Sequence, residues 1–298
     1  MVSFIDQHRS QYGVEPICAQ LPIAPSTYYL HKVRAADPGL IAPRHLRDQA
    51  LLVHVQQVWE ENFRVYGARK MWRQLNREGI RVARCTVERL MRRLGLRGVV
   101  RGKKRRTTIS DPQQGRVPDL VKRQFTATRP GQLWVADFTY VATCSGFVYT
   151  AFVIDVYDRS IVGWQVSASM KTDLVLAALN QALCSCRHIE GLIHHSDQGS
   201  QYLSIRYSER LAASGIRPST GTKGDAYDNA LAETVIGLYK AEVIRHCGPW
   251  TGRAAVEYAT LVWVDWFNNR RLLSSIGNIP PREKEIEYYR MKESGYAV

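Results

Sequence analysis

The run Gln132-Leu-Trp-Val-Ala-Asp-Phe-Thr-Tyr-Val141 decides how this chain is read. Its apolar and aromatic residues continue on both sides of the backbone, as in a strand buried on both faces, yet Asp137 stands in the middle of it. An unpaired charge is costly there, so the aspartate needs partners. Two other carboxylates occur in settings that can supply them. Asp197 ends the apolar run Leu192-Ile-His-His-Ser-Asp197, and Gln198-Gly-Ser-Gln-Tyr202 then reads as a turn leading into a helix. Asp197 therefore projects from a strand tip. Glu233 follows after a gap of 35 residues, in a helix whose pattern starts near Ala226 and ends near Arg245.

Helical spacing gives Glu233 its neighbours: Asn229 four residues before, Gly237 four after and Lys240 seven after share one stripe. Gly in a helix interior costs about 1 kcal/mol relative to Ala, so Gly237 suits a face approached by something bulky, such as a DNA backbone, with Lys240 and Asn229 as DNA contacts. Three carboxylates brought to roughly 4 Å repel by a few kcal/mol per pair at an effective dielectric near 20. Without cations such a cluster raises a pKa or splays apart. Two Mg²⁺ or Mn²⁺ ions resolve the conflict, since hard oxygen ligands suit both, and two ions suit phosphoryl transfer. On this reading Asp137, Asp197 and Glu233 are both the catalytic residues and the metal ligands.

The surrounding pattern is α/β. Strands at 132–142, 147–156 and 160–167, with turns at Ser145-Gly146 and Asp158-Arg159, predict an antiparallel meander. A helix from Thr172 to about Arg187 follows, then the Asp197 strand, a helix near Leu203 to Ala213, a short strand around Ile216 and the Glu233 helix. The last expected helix, about Arg253 to Asn268, carries Trp263 and Trp266 as core residues. His194 and His195 read as hydrogen-bonded strand residues, and Asp155 and Asp158 as turn residues. Asp225 and Asp228 suit capping of the Glu233 helix.

Upstream, three short helices are expected at Asp48 to Glu61, Gly67 to Arg77 and Arg84 to Leu94, with Gly79 ending the second. This is a helix-turn-helix pattern. Its third helix would enter the major groove, with Arg84, Thr86 and Arg89 nearest the bases and Arg92, Arg93 and Arg97 on phosphates. Lys103, Lys104, Arg105 and Arg106 extend the basic run into a polar linker.

Charge is distributed accordingly. Residues 1–130 hold 25 Lys or Arg against 10 Asp or Glu, and residues 131–298 hold 16 against 17, within a total of +14. The basic half suits sequence-independent attraction to double-stranded DNA. No apolar run reaches membrane-spanning length and the first residues have no signal-peptide pattern, so a cytoplasmic chain, nucleoid-associated when bound to DNA, is expected. The six cysteines lack a secreted-framework spacing and are expected to be reduced and mostly buried. His8, His31, His45 and His54 have no Cys-x-x-Cys partner, so no zinc is expected.

The segments Trp134-Val-Ala-Asp-Phe-Thr-Tyr140, His194-His-Ser-Asp-Gln-Gly-Ser-Gln-Tyr202, Gly224-Asp-Ala-Tyr-Asp-Asn-Ala-Leu-Ala-Glu233 and Lys240-Ala-Glu-Val243 together resemble the OrfB product of bacterial IS-three family transposases, relatives of retroviral integrases. The resemblance runs from about Tyr66 to Pro281. It implies an RNase H-like integrase core, a mixed five-stranded sheet flanked by helices, preceded by the all-α helix-turn-helix domain. The implied division is a leader at 1–44, the DNA-binding domain at 45–106, a basic linker at 107–127, the core at 128–285 and a tail at 286–298. It also implies metal-dependent 3′-end cleavage and strand transfer, action as at least a dimer on DNA, and an OrfA partner or frameshift fusion. Two features depart from the family pattern: Gln198 stands where Arg is common, and Arg271-Leu-Leu-Ser-Ser-Ile-Gly277 lacks a customary His. An RNase H-like nuclease that only hydrolyses, and a DNA-binding regulator with an inactive core, remain the alternatives.

Overall fold

The computed structural model describes residues 1–100, 102, 118–122, 124–186, 188–221 and 229–295. Helices α1 (Val2–Tyr12), α2 (Val14–Gln20) and α3 (Pro25–Ala36) form a small unit around Ile5, Ile17, Cys18 and Tyr28. Helices α4 (Pro43–Glu61), α5 (Ala68–Arg77) and α6 (Arg84–Arg93) follow. α4 starts earlier than the apolar pattern indicates because Pro43 fits the first helical turn, where no backbone N–H is required. Gly79, at a φ of 83°, ends α5 in the left-handed conformation. Val87, Leu90 and Met91 of α6 are buried against Leu51, Val55 and Val58 of α4 and Met71 and Leu75 of α5.

The second half is a mixed sheet with strand order β3-β2-β1-β4-β5. β1 (Leu133–Thr143), β2 (Gly146–Asp155) and β3 (Ile161–Ser167) make the expected antiparallel meander. β4 (Ile193–Ser196) and β5 (Arg217–Thr220) extend it in parallel. β1 is therefore central and buried on both faces. Trp134 and Ala136 face α7 (Thr172–Ser185) and α8 (Ile205–Ala213), while Leu133 and Val135 face α9 (Ala230–Tyr239) and α11 (Arg253–Asn269). α7 crosses β3 so closely that a Cβ on Gly163 would lie 2.1 Å from the Ala178 carbonyl oxygen, which accounts for that glycine. Asp155 accepts hydrogen bonds from Gly131 N, Trp134 Nε1 and Tyr157 N, and Asp158 accepts one from Ser160 N. Both are turn-organising residues. Burial pushes their pKa values up to about 6 and about 8.

Two expectations change. Cys18 is buried, but Cys85, Cys144, Cys184 and Cys247 are exposed and Cys186 is half-buried; all six thiols are free. Their positions at helix ends and turns, outside the core-facing stripes, explain the difference. α12 (Pro281–Glu293) was not expected, because its polar sequence has little apolar periodicity. It is held by Pro281 in its first turn, ion pairs Arg282–Glu285 and Lys284–Glu287, and the buried Tyr288. It runs across residue 285, where the core was expected to end. Among the described residues no helix is long and apolar enough to cross a membrane.

One joint links the amino-terminal helices to the sheet half. After α9 the chain widens into a π turn over Lys240–Ile244 and continues as α10 (Arg245–Cys247). The turn buries Glu242, whose carboxylate accepts hydrogen bonds from Arg271 Nε at 3.0 Å, Arg271 Nη2 at 2.5 Å and Trp263 Nε1 at 3.2 Å. Beside it, Tyr66 Oη accepts from Leu272 N at 2.7 Å and Asn62 Oδ1 accepts from Trp266 Nε1 at 3.2 Å. Lys70 Nζ lies 5.2 Å from the Tyr66 ring centroid. Burial, then the nearby Arg271 charge, bring its pKa down to about 7 despite the opposing Glu242 charge.

Removing one partner of a buried pair leaves the other unpaired. Arg271→Ala should therefore lower stability by about 3–5 kcal/mol in a denaturant titration, and the double change Glu242→Met with Arg271→Met should lose less; a greater loss in the double variant would refute this energetic role. Because the folded-state pKa of Lys70 lies below its unfolded value, its charge opposes folding most fully below pH 7, and the penalty fades as pH rises toward about 10. Lys70→Met should thus raise the unfolding midpoint at pH 6 and much less at pH 10. Equal gains at the two pH values would mean that the Lys70 charge is not strained.

Candidate active site

Asp137 lies at the middle of β1, opposite Phe152 of β2, on the side of the sheet that α9 covers. Its Oδ1 accepts a hydrogen bond from Phe138 N at 2.8 Å. Asp197 follows the last residue of β4, which pairs with β1 through Ala136 and Ser196, so parallel pairing sets Asp197, just past the end of β4, alongside Asp137 in the middle of β1. Its Oδ1 accepts from Gly199 N at 3.3 Å. Glu233 is in the first turn of α9, with its backbone N–H bonded to Asn229 O.

The charges converge on Asp137. Burial pushes its carboxyl well above the usual carboxylate range; the Asp197 and Glu233 charges add to this, while the Phe138 N–H and the Lys240 charge oppose it. Burial also raises Asp197, against the Gly199 N–H and the His195 charge. Lys240, at the start of the π turn, places Nζ 5.3 Å from the Tyr140 ring centroid, and burial lowers its pKa while Asp137 raises it. Asn229 is buried rather than surface-presented. Its Nδ2 donates to Ala136 O at 3.0 Å, bracing β1 beside Asp137, and its Oδ1 is buried with no hydrogen-bond partner among the described residues.

Among the described residues, no three His, Cys, Asp or Glu side chains close into a group able to hold an ion as they stand. Asp137 senses the Asp197 and Glu233 charges although the three do not form such a group, in keeping with mutual repulsion. The donors fit a hard divalent cation on two counts: all are carboxylate oxygens, and the orphaned Asn229 Oδ1 is an unused acceptor beside them.

The histidines ahead of Asp197 are structural. His194 Nε2 lies 3.0 Å from Tyr207 Oη, and burial brings the His194 pKa down to about 4, keeping it neutral at pH 7. His195 Nδ1 lies 2.9 Å from Ser219 Oγ, which also accepts from Leu120 N. Sequence reading did not find this clamp between β4, β5 and the segment entering the sheet, because Leu120 gives no local signal for it. Gln198 donates to Gly221 O at 3.0 Å, fastening the ends of the same strands. Arg271, which opens the segment lacking the customary His, is committed to Glu242 in the interior.

On α6, Arg84, Arg92 and Arg93 are exposed, as is Arg97 beyond it, and Thr86 is half-buried. Arg92 pairs with Glu88 at 3.4 Å. Arg89 is tied to the buried Asp48 of α4 at 2.8 Å, so its guanidinium already bridges two helices. Lys103, Lys104, Arg105 and Arg106, with Asp225, Tyr227 and Asp228, lie outside the described residues.

Comparison with known proteins adds identity to this geometry. Residues 127–226 and 214–281 match models described as integrase core domain, and residues 46–104 match one described as HTH-like domain. The transposase for insertion sequence element IS629 of Shigella sonnei is 57% identical over 97% of this chain and 97% of its own length. The transposase for IS3411 of Escherichia coli is 57% identical over 63% of this chain and 78% of its own. The HTLV-2 integrase catalytic core domain, solved in complex with magnesium, aligns with 54% of this chain and 99% of its own at 15% identity and a TM-score of 0.43. Near-complete coverage by a relative of this identity, with integrase-core and HTH-like domains matched in order, means that the chain belongs to the IS-three family of insertion-sequence transposases.

Proposed function

We propose that this transposase cleaves the 3′ ends of its element and transfers them to a second DNA duplex through one acidic site. The observation that carries the reading is the concentration of Asp197, Glu233 and Lys240 charge on the buried Asp137. Asp137, Asp197 and Glu233 would hold two Mg²⁺ or Mn²⁺ ions. Bound there, the cations would supply Lewis-acid activation of a water or 3′ hydroxyl and stabilise the departing oxygen.

The chain's own residues would do the rest. The Asp137 carboxylate sits on a central strand whose movement the flanking layers oppose, so its position is fixed before DNA arrives. Lys240, half-buried and packed against Tyr140, would hold a phosphate at the mouth of the site. The exposed Arg84, Arg92, Arg93 and Arg97 would bind DNA electrostatically, with Thr86 at the groove edge. Arg89 would hold α6 on α4 through Asp48. Residues 45–106 would then serve as the binding unit and 128–285 as the catalytic unit. Engaging two element ends at once calls for at least two copies, and an OrfA segment or fusion would complete recognition of the ends.

The test is to incubate the purified chain with Mg²⁺ or Mn²⁺, DNA carrying a pre-cut 3′ hydroxyl end from its own flanking sequence, and a second duplex. Covalent joining is expected, falling to background in Glu233→Gln with DNA affinity nearly unchanged. Hydrolysis without joining would favour a nuclease, and joining that survives in Glu233→Gln would remove Glu233 from the site. Lys240→Ala should raise the DNA concentration for half-maximal joining by about tenfold, the loss of roughly 1.4 kcal/mol of binding. Unchanged concentration dependence would sink the phosphate-contact assignment.

A further inference from the structure

Tyr202 closes the turn that follows Asp197, and its backbone N–H bonds to Gly199 O at 3.0 Å. Its ring meets Tyr207 edge-on at 5.4 Å and Phe138 at 6.3 Å, and only 4% of the residue is exposed. This packing is aromatic on both sides and makes no use of a hydroxyl. A phenylalanine would satisfy it.

The hydroxyl is nevertheless present, and among the described residues it has no hydrogen-bond partner. The neighbouring Tyr207 shows the contrast, since its hydroxyl is satisfied by His194 Nε2. A buried hydroxyl without a partner is destabilising, so its retention needs a reason outside packing. Its surroundings supply one. Burial pushes the Tyr202 phenol well above its ordinary pKa, and the Asp137 charge, then Tyr207 and then the Asp197 charge add to this. A Cβ added at Gly199 would lie 3.1 Å from Asp197 Oδ1 and 3.5 Å from Tyr202 Cδ2, so the carboxylate and the ring border the same narrow space. Asp137 itself accepts a hydrogen bond from Phe138 N at Oδ1, leaving acceptor capacity for a second donor.

We infer that Tyr202 is a positioning residue of the acidic site, its phenol O–H donating to the Asp137 carboxylate and fixing which oxygen faces a bound divalent cation. The inference rests on the proposed reading of Asp137 as a metal ligand and extends it to a residue outside the three carboxylates. Partners of ligating carboxylates change metal affinity by roughly 10–100-fold when removed. The cost of the orphaned hydroxyl is then offset on metal binding, when the repelling carboxylates draw together.

The test is a calorimetric Mn²⁺ titration of the whole chain, alongside thermal unfolding without metal. Tyr202→Phe should weaken Mn²⁺ binding by about 10–100-fold, while the metal-free Tm stays level or rises because an unsatisfied group has been removed. Mn²⁺ affinity equal to that of the parent chain would overturn the inference, as would a fall in metal-free Tm, which would reveal a structural partner for the hydroxyl. Asp137→Asn separates this failure from failure of the wider reading. If Asp137→Asn abolishes Mn²⁺ binding while Tyr202→Phe leaves it intact, Tyr202 alone is misassigned; if Asp137→Asn also leaves binding intact, the metal-ligand reading falls with it. In a background that retains weak binding, Asp137→Glu, adding Tyr202→Phe should cost less than it does in the parent chain, and full additivity would argue against a shared hydrogen bond.

Discussion

The buried ion pair between Glu242 and Arg271 sits where three parts of the molecule meet: the helix that carries Glu233, the helix that ends at Asn269, and the amino-terminal helices through Tyr66 and Lys70. Two charges removed from water are tolerable only when their hydrogen bonds are satisfied. Here Arg271 addresses both oxygens of Glu242 and Trp263 adds a further donor. The π turn is what delivers Glu242 to this position. It buries Ala241, Glu242 and Val243 in succession while Lys240, at its start, still faces Asp137. One local change in helix geometry therefore serves two directions: a cation toward the acidic site and an anion into the joint. The family resemblance marks the Lys240-Ala-Glu-Val243 segment as a unit, and this division of labour is its physical content.

The acidic site is built on the opposite principle. At the joint, opposite charges are brought together and the interaction is complete; around Asp137, like charges are brought close and the interaction is left incomplete. Burial and the neighbouring carboxylates both work against ionisation of Asp137, with only one backbone N–H and the Lys240 charge in its favour. Such an arrangement survives because its strand cannot easily yield. β1 is paired on both edges and covered on both faces, so displacing Asp137 would disturb the core of each layer. Stability is thus supplied by the layers, and the electrostatic tension is confined to Asp137 in the middle of β1 and the carboxylates beside it.

Much of this was legible from residue pattern. The meander, the Asp197 strand and the long Trp-bearing helix were set by period and turn residues, because each presents an apolar stripe to a single core. The three short basic helices were readable for the same reason. α12 escaped because its fold depends on one buried tyrosine and a set of ion pairs rather than on a stripe. The partners of Glu242 escaped because Arg271 is 29 residues away and nothing local distinguishes a buried arginine from a surface one. Asn229 illustrates the limit within the site itself. Helical spacing put it on the Glu233 stripe, but only the sheet shows that its amide reaches back to Ala136.

Arg89 shows how the same limit affects the DNA-binding face. Charge counting treats every arginine of α6 as equivalent, whereas the fold separates them by what else they hold. The Asp48 carboxylate is buried on α4, and without Arg89 it would lack the side chain whose hydrogen bond most lowers its pKa. An arginine used in this way can reach DNA only by leaving a buried carboxylate behind, whereas Arg84, Arg93 and Arg97 lie exposed on the surface. On the proposed reading, recognition by α6 would divide into a residue that sets the helix's angle on its neighbour and residues that would meet the nucleic acid, and base preference would depend on Arg89 indirectly, through where it holds Arg84 and Thr86.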